Sequence, residues 1–272
     1  MGEACQSVFQ RYEKKYMLDR QQYDRLGRML ADRMEADAYG CYTICNLYYD
    51  TSDYRMIRTS LEKPVYKEKL RVRSYGVPGE EDSVFVELKK KYEGIVYKRR
   101  IALPKAQASA CLKAGSFREA VAPDSPDGQI AGELNWVLRY YRPLPVLYLA
   151  YDRTAWRGKD NPDLRITFDT EIRFRQDRLD LSAGDEGERL LVEDSILMEV
   201  KFPHSMPLWL ARELSCLSVF PVSFSKYGSC YQKRLLGQKQ KSAGAAERVL
   251  TAGEQRQRKE PHRQRQGGKR YA

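Results

Sequence analysis

The chain reads as an α+β protein built on a closed antiparallel β-barrel with helices packed on the outside. Two observations predict it. Six segments alternate apolar and charged residues with the period of two that sends successive side chains to opposite faces of a strand. The polar face of these segments is dominated by Arg, Lys and Glu, whereas a sheet facing water takes Thr, Ser and Gln as well. Like charges at spacing two repel one another unless water or something strongly negative lies opposite. A barrel with its apolar face under helices and its charged face around a lumen provides such a place, and about eight strands leave room for side chains or one narrow ligand.

Each element follows in order. The stretch FQRYEKKYM puts Arg11, Glu13 and Lys15 on one face of a first strand. Residues 19–37 carry Tyr23, Leu26, Met29, Leu30 and Met34 at helical spacing behind Asp19, a good N-cap. In KEKLRVRSYG (67–76), Lys67, Lys69, Arg71, Arg73 and Tyr75 share one face, with Leu70 and Val72 on the other. SVFVELKKK sets Val84, Val86 and Leu88 against Glu87, Lys89 and Lys91. Helices are predicted at 104–114, entered at Pro104, and at 127–141, where Ile130, Leu134, Val137 and Leu138 form a stripe. LYLAYDRTAW adds Tyr151 and Arg153. LRITFDTEIRFR opposes Leu164, Ile166, Phe168 and Ile172 to Arg165, Asp169, Glu171, Arg173 and Arg175, and SILMEVKF opposes Ile196, Met198, Val200 and Phe202 to Glu199 and Lys201. A fourth helix is predicted from about 207 to 217. The turn-rich runs PDSPDG and GDEGE are too short to separate domains, so one domain is expected over 7–235.

With 272 residues, 42% of them hydrophobic, the chain can bury a real core. Its net charge of +11 is unevenly placed: residues 236–272 hold ten Lys or Arg against three Glu, leaving about +4 for the rest. Local arrangement therefore matters more than bulk charge. The 236–272 tail is polar and basic, so disorder is expected, with polyanion binding by counterion release or plain solubilisation as its roles. Six scattered cysteines without a CxxC pair, and no signal leader, predict a reducing, cytoplasmic location. No run approaches the eighteen or so apolar residues of a membrane span, so no membrane insertion is expected.

A cationic lumen with a few carboxylates suits a polyphosphate carrying a divalent metal. The motifs RYEKKYML, KLRVRSYG, VFVELKKK, YDRTAW, LMEVKFP and FSKYG, in this order, resemble the polyphosphate polymerase (VTC) domain of the vacuolar transporter chaperone complex, one of the CYTH-like triphosphate tunnel metalloenzymes. The resemblance implies a β tunnel that transfers the γ-phosphoryl group of ATP to a growing inorganic polyphosphate chain. It implies catalytic phosphate contacts from Arg71, Arg73, Lys89, Arg153 and Lys226. Substrate contacts are implied for Lys15, Lys69, Lys98, Arg99, Tyr151, Lys201 and Ser225, the adjacency of Lys98 and Arg99 leaving their register open. Glu199 and Glu13 are the implied ligands of Mn or Mg. Hydrolytic members of the wider group begin with two glutamates and a lysine at alternate positions; Arg11 stands here in place of the first. That exchange argues for a polymerase over a metal-dependent tripolyphosphatase or nucleoside triphosphatase, while Glu13 and Glu199, which would oppose an anion unless a metal lay between, argue against a non-catalytic polyphosphate-binding module. The only histidines, His204 and His262, lie outside the strand motifs. Repulsion between Arg71 and Arg73 in an empty lumen further predicts that replacing both leaves the melting temperature unchanged or higher.

Overall fold

The computed structural model describes residues 12–93 and 95–234; Arg11, and the tail from 235 onward, lie outside the described residues. Strand β1 (Tyr12–Leu18) leads into α1 (Arg20–Arg33), β2 (Met34–Asp50), α2 (Arg55–Leu61), β3 (Tyr66–Tyr75), β4 (Ser83–Tyr92) and β5 (Ile95–Pro104). Helices α3 (Lys105–Ala114) and α4 (Gly128–Tyr141) follow, then β6 (Leu144–Gly158), β7 (Arg165–Arg175), the short β8 (Glu188–Arg189), β9 (Ile196–Phe202) and α5 (Leu208–Cys216). The chain divides into two compact units, 1–229 and 230–272. In the first, helix begins again at residue 226; in the second, 230–234 are helical.

Eight strands pair antiparallel in the order β1-β9-β7-β6-β2-β3-β4-β5, with β8 against β7. The registers carry one face across the sheet: Lys15 lies opposite Glu199, Glu199 opposite Thr167, Asp169 opposite Arg153, and Arg153 opposite Tyr42. On the other half Asn46 faces Arg73, Arg71 faces Glu87, and Lys89 faces both Lys69 and Lys98. The alternation of the sequence thus becomes one charged surface.

No ladder joins β1 to β5 among the described residues, so hydrogen bonds do not close the expected barrel. The edge of β1 is already taken. Val222 N–H donates to the Lys15 carbonyl at 2.7 Å, and Pro221 bridges Tyr16, so the returning chain sits where a closing strand would pair.

The opposite face is apolar and carries two helical covers. Tyr16, Leu18, Ile166, Phe168, Met198 and Val200 pack under Leu26 and Leu30 of α1 and Leu210 and Leu214 of α5. Leu70, Val72, Val84, Val86, Leu88 and Ile101 pack under Leu112 of α3 and Leu134, Val137 and Leu138 of α4. Each such side chain removed from water contributes roughly 1.5–3 kcal/mol, which holds the charged face inward.

Helix α1 opens on a capping box, Asp19 accepting from Gln22 N–H at 2.8 Å and Gln22 Oε1 from Asp19 N–H at 3.0 Å. It stops at Arg33, short of the predicted 37, because Met34 to Ala36 pair with Gly158 to Trp156 as strand. Helix α2 was not expected. Its cap is not the preceding residue but the buried Asp50, which accepts from Met56 and Ile57 N–H at 2.8 and 2.9 Å. None of the described helices is long and apolar enough to cross a membrane.

Candidate active site: a cation-lined lumen

Glu199 lies at the centre of the charged face. Its Oε1 meets Lys226 Nζ and Lys15 Nζ, each at 3.3 Å, and its Oε2 meets Lys201 Nζ at 3.2 Å and Arg153 Nη2 at 4.0 Å. Burial alone pushes a carboxyl up, but Lys226, Lys201, Lys15 and Arg153 together hold this one well below the usual range. Beside it Asp169, wholly buried, takes both nitrogens of the Arg153 fork at 2.6 and 2.8 Å and Lys226 Nζ at 2.5 Å. Here too the cations outweigh burial and keep the carboxyl low, while Lys226, against the effect of burial, is pushed up by Asp169 and Glu199. Tyr151 completes the group: Lys226 Nζ stands 4.5 Å and Arg153 Cζ 5.1 Å from its ring centroid, and Arg73 Nη2 donates to its hydroxyl at 3.5 Å.

A second group is carried by β3 and its neighbours. Arg71 contacts Glu87 Oε2 through Nε at 2.7 Å and Nη2 at 2.6 Å, and donates from Nη1 to the Tyr48 hydroxyl at 3.2 Å. Arg73 donates from Nε to Asn46 Oδ1 at 3.1 Å, with Glu87 Oε1 farther off at 3.8 Å. Lys69 donates to Ser225 Oγ at 3.0 Å. Among the described residues Lys69, Lys89 and Lys98 meet no carboxylate within ion-pair distance. Burial first, then Lys89, Lys15, Lys67 and Arg71, push Lys69 down to about 7. Lys98, exposed on the edge strand, is pushed down to about 8 first by the burial of its inward-turned end and then by Lys201, Lys89 and Arg71. Lys89 is lowered as well, by burial before any neighbour.

One end of the lumen is crossed by the segment 224–227. The Phe224 carbonyl accepts from Lys15 Nζ at 3.1 Å, Ser225 meets β3, and Lys226 reaches β7 and β9. Tyr227 stacks on Tyr48 with centroids 4.6 Å apart and donates to Asp50 Oδ2 at 2.8 Å.

The structure therefore brings together Glu13, Lys15, Lys69, Arg71, Arg73, Lys89, Lys98, Tyr151, Arg153, Glu199, Lys201, Ser225 and Lys226. Arg99 is a correction. It lies opposite Leu88, on the helix-covered face, and its Nε meets Glu133 of α4 at 3.3 Å. Arg173 and Arg175 also leave the predicted charged face. Glu171 has a left-handed φ of 47° where the β6–β7 register shifts, and such a bulge exchanges the two faces beyond it. Arg173 accordingly pairs Asp152 at 3.3 Å and Asp185 at 2.5 Å on the outside, and Arg175 covers the Tyr148 ring. Sequence reasoning assigned no role to Asp169, Glu87, Asn46 or Tyr48. The first two stood on the charged face already, and their signal was a carboxylate among cations at spacing two.

The donor set suits a hard divalent ion that arrives with phosphate. Glu13 and Glu199 lie diagonally on β1 and β9, and Lys15 Nζ stands between them at 3.7 and 3.3 Å. Both carboxyls are lowered; for Glu13, burial and Glu199 oppose the shift that Lys89, Lys201 and Lys15 produce. No cluster of three His, Cys, Asp or Glu exists among the described residues; Glu13 and Glu199 would be the protein's carboxylates for such an ion.

No curated protein shows significant sequence similarity to the chain. Several solved structures resemble it in fold, two of them as follows. A candidate adenylate cyclase from Bacillus halodurans has 15% identity and a TM-score of 0.47, covering 78% of this chain and 92% of its own. A candidate adenylyl cyclase from Hippeastrum, described as having a dominant triphosphatase activity, has 14% identity and a TM-score of 0.46, covering 79% and 92%. The model of the VTC domain matches residues 10–235, which include every strand of the lumen, and the chain belongs to the VTC domain family.

Proposed function

We propose that the protein is an ATP-dependent polyphosphate polymerase, transferring the γ-phosphoryl group of ATP to the terminal phosphate of an inorganic polyphosphate chain held in the lumen. The observation that carries this reading is a continuous face on which cations outnumber carboxylates and the two innermost carboxylates, Glu199 and Asp169, are occupied by cations. An anion supplies the charge that Lys69, Lys89 and Lys98 lack.

Transfer forms a bond between a terminal oxygen of the chain and the γ-phosphorus and breaks the bond from that phosphorus to the β-γ bridging oxygen, leaving ADP. The acceptor oxygen is already anionic at neutral pH, so no base is required. This agrees with a lumen whose carboxyls are held ionised by ion pairs and which contains no histidine among the described residues. Alignment and charge neutralisation are what remain for the protein to supply. The planar forks of Arg71, Arg73 and Arg153 suit two oxygens at once, and Lys15, Lys69 and Lys89 act as point charges. Glu13 and Glu199 would hold an Mn²⁺ or Mg²⁺ ion in exchange for part of their contact with Lys15, and such an ion would supply further neutralisation of phosphate charge.

A second reading, hydrolysis of tripolyphosphate or a nucleoside triphosphate, is favoured by Glu13 alone. Its side chain is 31% exposed and its one ion-pair contact among the described residues, to Lys15, is long at 3.7 Å, which leaves room to orient a water. Incubation with ATP and Mn²⁺, resolved on a gel for polyphosphate and assayed for free phosphate, separates the two. A ladder of lengthening chains is expected. Free phosphate without a ladder moves the assignment to hydrolysis, and neither product overturns both readings.

A further inference from the structure

We propose that Tyr42, Tyr75 and Phe85 form a nucleobase-stacking subsite at the open end of the lumen, so that a nucleoside triphosphate lies with its phosphates on the cations and its base in the mouth; this rests on the nucleotide reading above. The end opposite the 224–227 segment is lined by aromatic rings. All three project from the charged face. Tyr42 lies directly across the β2–β6 ladder from Arg153, Phe85 directly across the β3–β4 ladder from Arg73, and Tyr75 two residues beyond Arg73 on β3.

The rings touch one another in a row. Centroids of Tyr42 and Tyr75 are 5.9 Å apart, and those of Tyr75 and Phe85 also 5.9 Å, at interplanar angles of 56° and 83°. Arg100 Cζ stands 5.0 Å from the Phe85 centroid, which makes that ring the fixed wall of the group. Tyr75, in the middle, is 55% exposed. A cluster serving only the core buries its rings, whereas this one keeps its central ring open to the mouth.

Two observations select a base as occupant. The first is continuity: two residues of strand span roughly 7 Å, about the reach of one ribose between a phosphate on Arg73 and a base beside Tyr75. The second is chemistry. Aromatic faces stack on bases of any sequence, and a nearby guanidinium adds a cation–π contact. Inorganic tripolyphosphate fills the cationic part and leaves this subsite empty, so the two ligands report on different parts of the lumen.

The test compares ATP and inorganic tripolyphosphate by calorimetry in one buffer, salt and metal, on the parent chain, Tyr75→Ala and Tyr75→Phe. The expected result is that Tyr75→Ala weakens ATP about tenfold, leaves tripolyphosphate within about twofold, and that Tyr75→Phe restores ATP affinity. Unchanged ATP affinity in Tyr75→Ala overturns the subsite, as does an equal loss of both ligands, which marks a structural role. A parent chain that binds tripolyphosphate but not ATP overturns the subsite and the nucleotide donor while sparing the anion-binding lumen. A parent that binds neither removes the lumen reading itself.

Discussion

Arg71 and Arg73 show how a charge that looks repulsive in sequence is settled by its neighbours. Adjacent like charges on β3 suggested an empty lumen relieved by their removal. Arg71 instead lies on Glu87 at 2.6–2.7 Å, and Arg73 on Asn46 and, more distantly, Glu87. Removing both leaves a half-buried carboxylate without its partner, at a cost of about 2 kcal/mol, equivalent to roughly 4–8 °C in a domain of this size. The expected outcome for Arg71→Ala/Arg73→Ala is therefore a lower ligand-free melting temperature, opposite to the sequence-based expectation, with tripolyphosphate affinity reduced about a hundredfold. Lys69 is the contrasting case, since among the described residues it meets Ser225 and no carboxylate. Lys69→Met is expected to melt at or above the parent and to gain less from tripolyphosphate; a loss of several degrees would show a counter-ion partner for Lys69. Which lysines lack partners was not legible from spacing, because Glu87 and Asp169 are assigned to their arginines by register across strands, not along one.

At the scale of elements the strands were the legible part. Period-two alternation located β1, β3, β4, β6, β7 and β9 and named the face that each turns inward, because both sides of the sheet are strongly specified: one by helices, the other by charge. The same signal failed beyond Glu171, where one inserted residue swapped the faces, and at Arg99, where two adjacent cations fitted either face. Helix α2 was illegible because it spans only seven residues and its cap, Asp50, stands five residues before its first turn. Strand β5 makes a further expectation. Among the described residues it pairs with β4 on one side alone, and Lys98 turns inward from it. Its outward amides should exchange hydrogen faster than those of β6, which is paired on both sides, and tripolyphosphate should slow them by drawing Lys98 toward a shared anion. Equal protection of β5 and β6 without ligand would mean that another segment covers that edge.

The whole molecule stores its unbalanced charge in a way that pH can read. Lys69 and Lys98 have folded pKa values of about 7 and about 8, below the 10.5 of a free lysine. Their folded values are depressed, so between roughly pH 7 and 10.5 the unfolded chain binds more protons than the native one. Ligand-free stability should therefore rise with pH across that window and be flat below it as far as these two groups act. A bound polyanion reverses the shift, so tripolyphosphate binding at pH 8 should take up protons. Calorimetry in two buffers of different ionisation heat measures this directly, and proton release would contradict the placement of these lysines around the anion. The unjoined strands β1 and β5 carry the same economy into mechanics. A hydrogen-bonded barrel is a hoop, its girth set by strand number and stagger. Among the described residues this wall is a split ring: no ladder joins its lips, β5 on one side and, on the other, β1 with Pro221 and Val222 paired to its edge. Its girth is therefore held by side chains that reach across the charged face, Lys69 on Ser225 and Lys226 on Asp169 and Glu199, where a closed hoop would hold it by backbone.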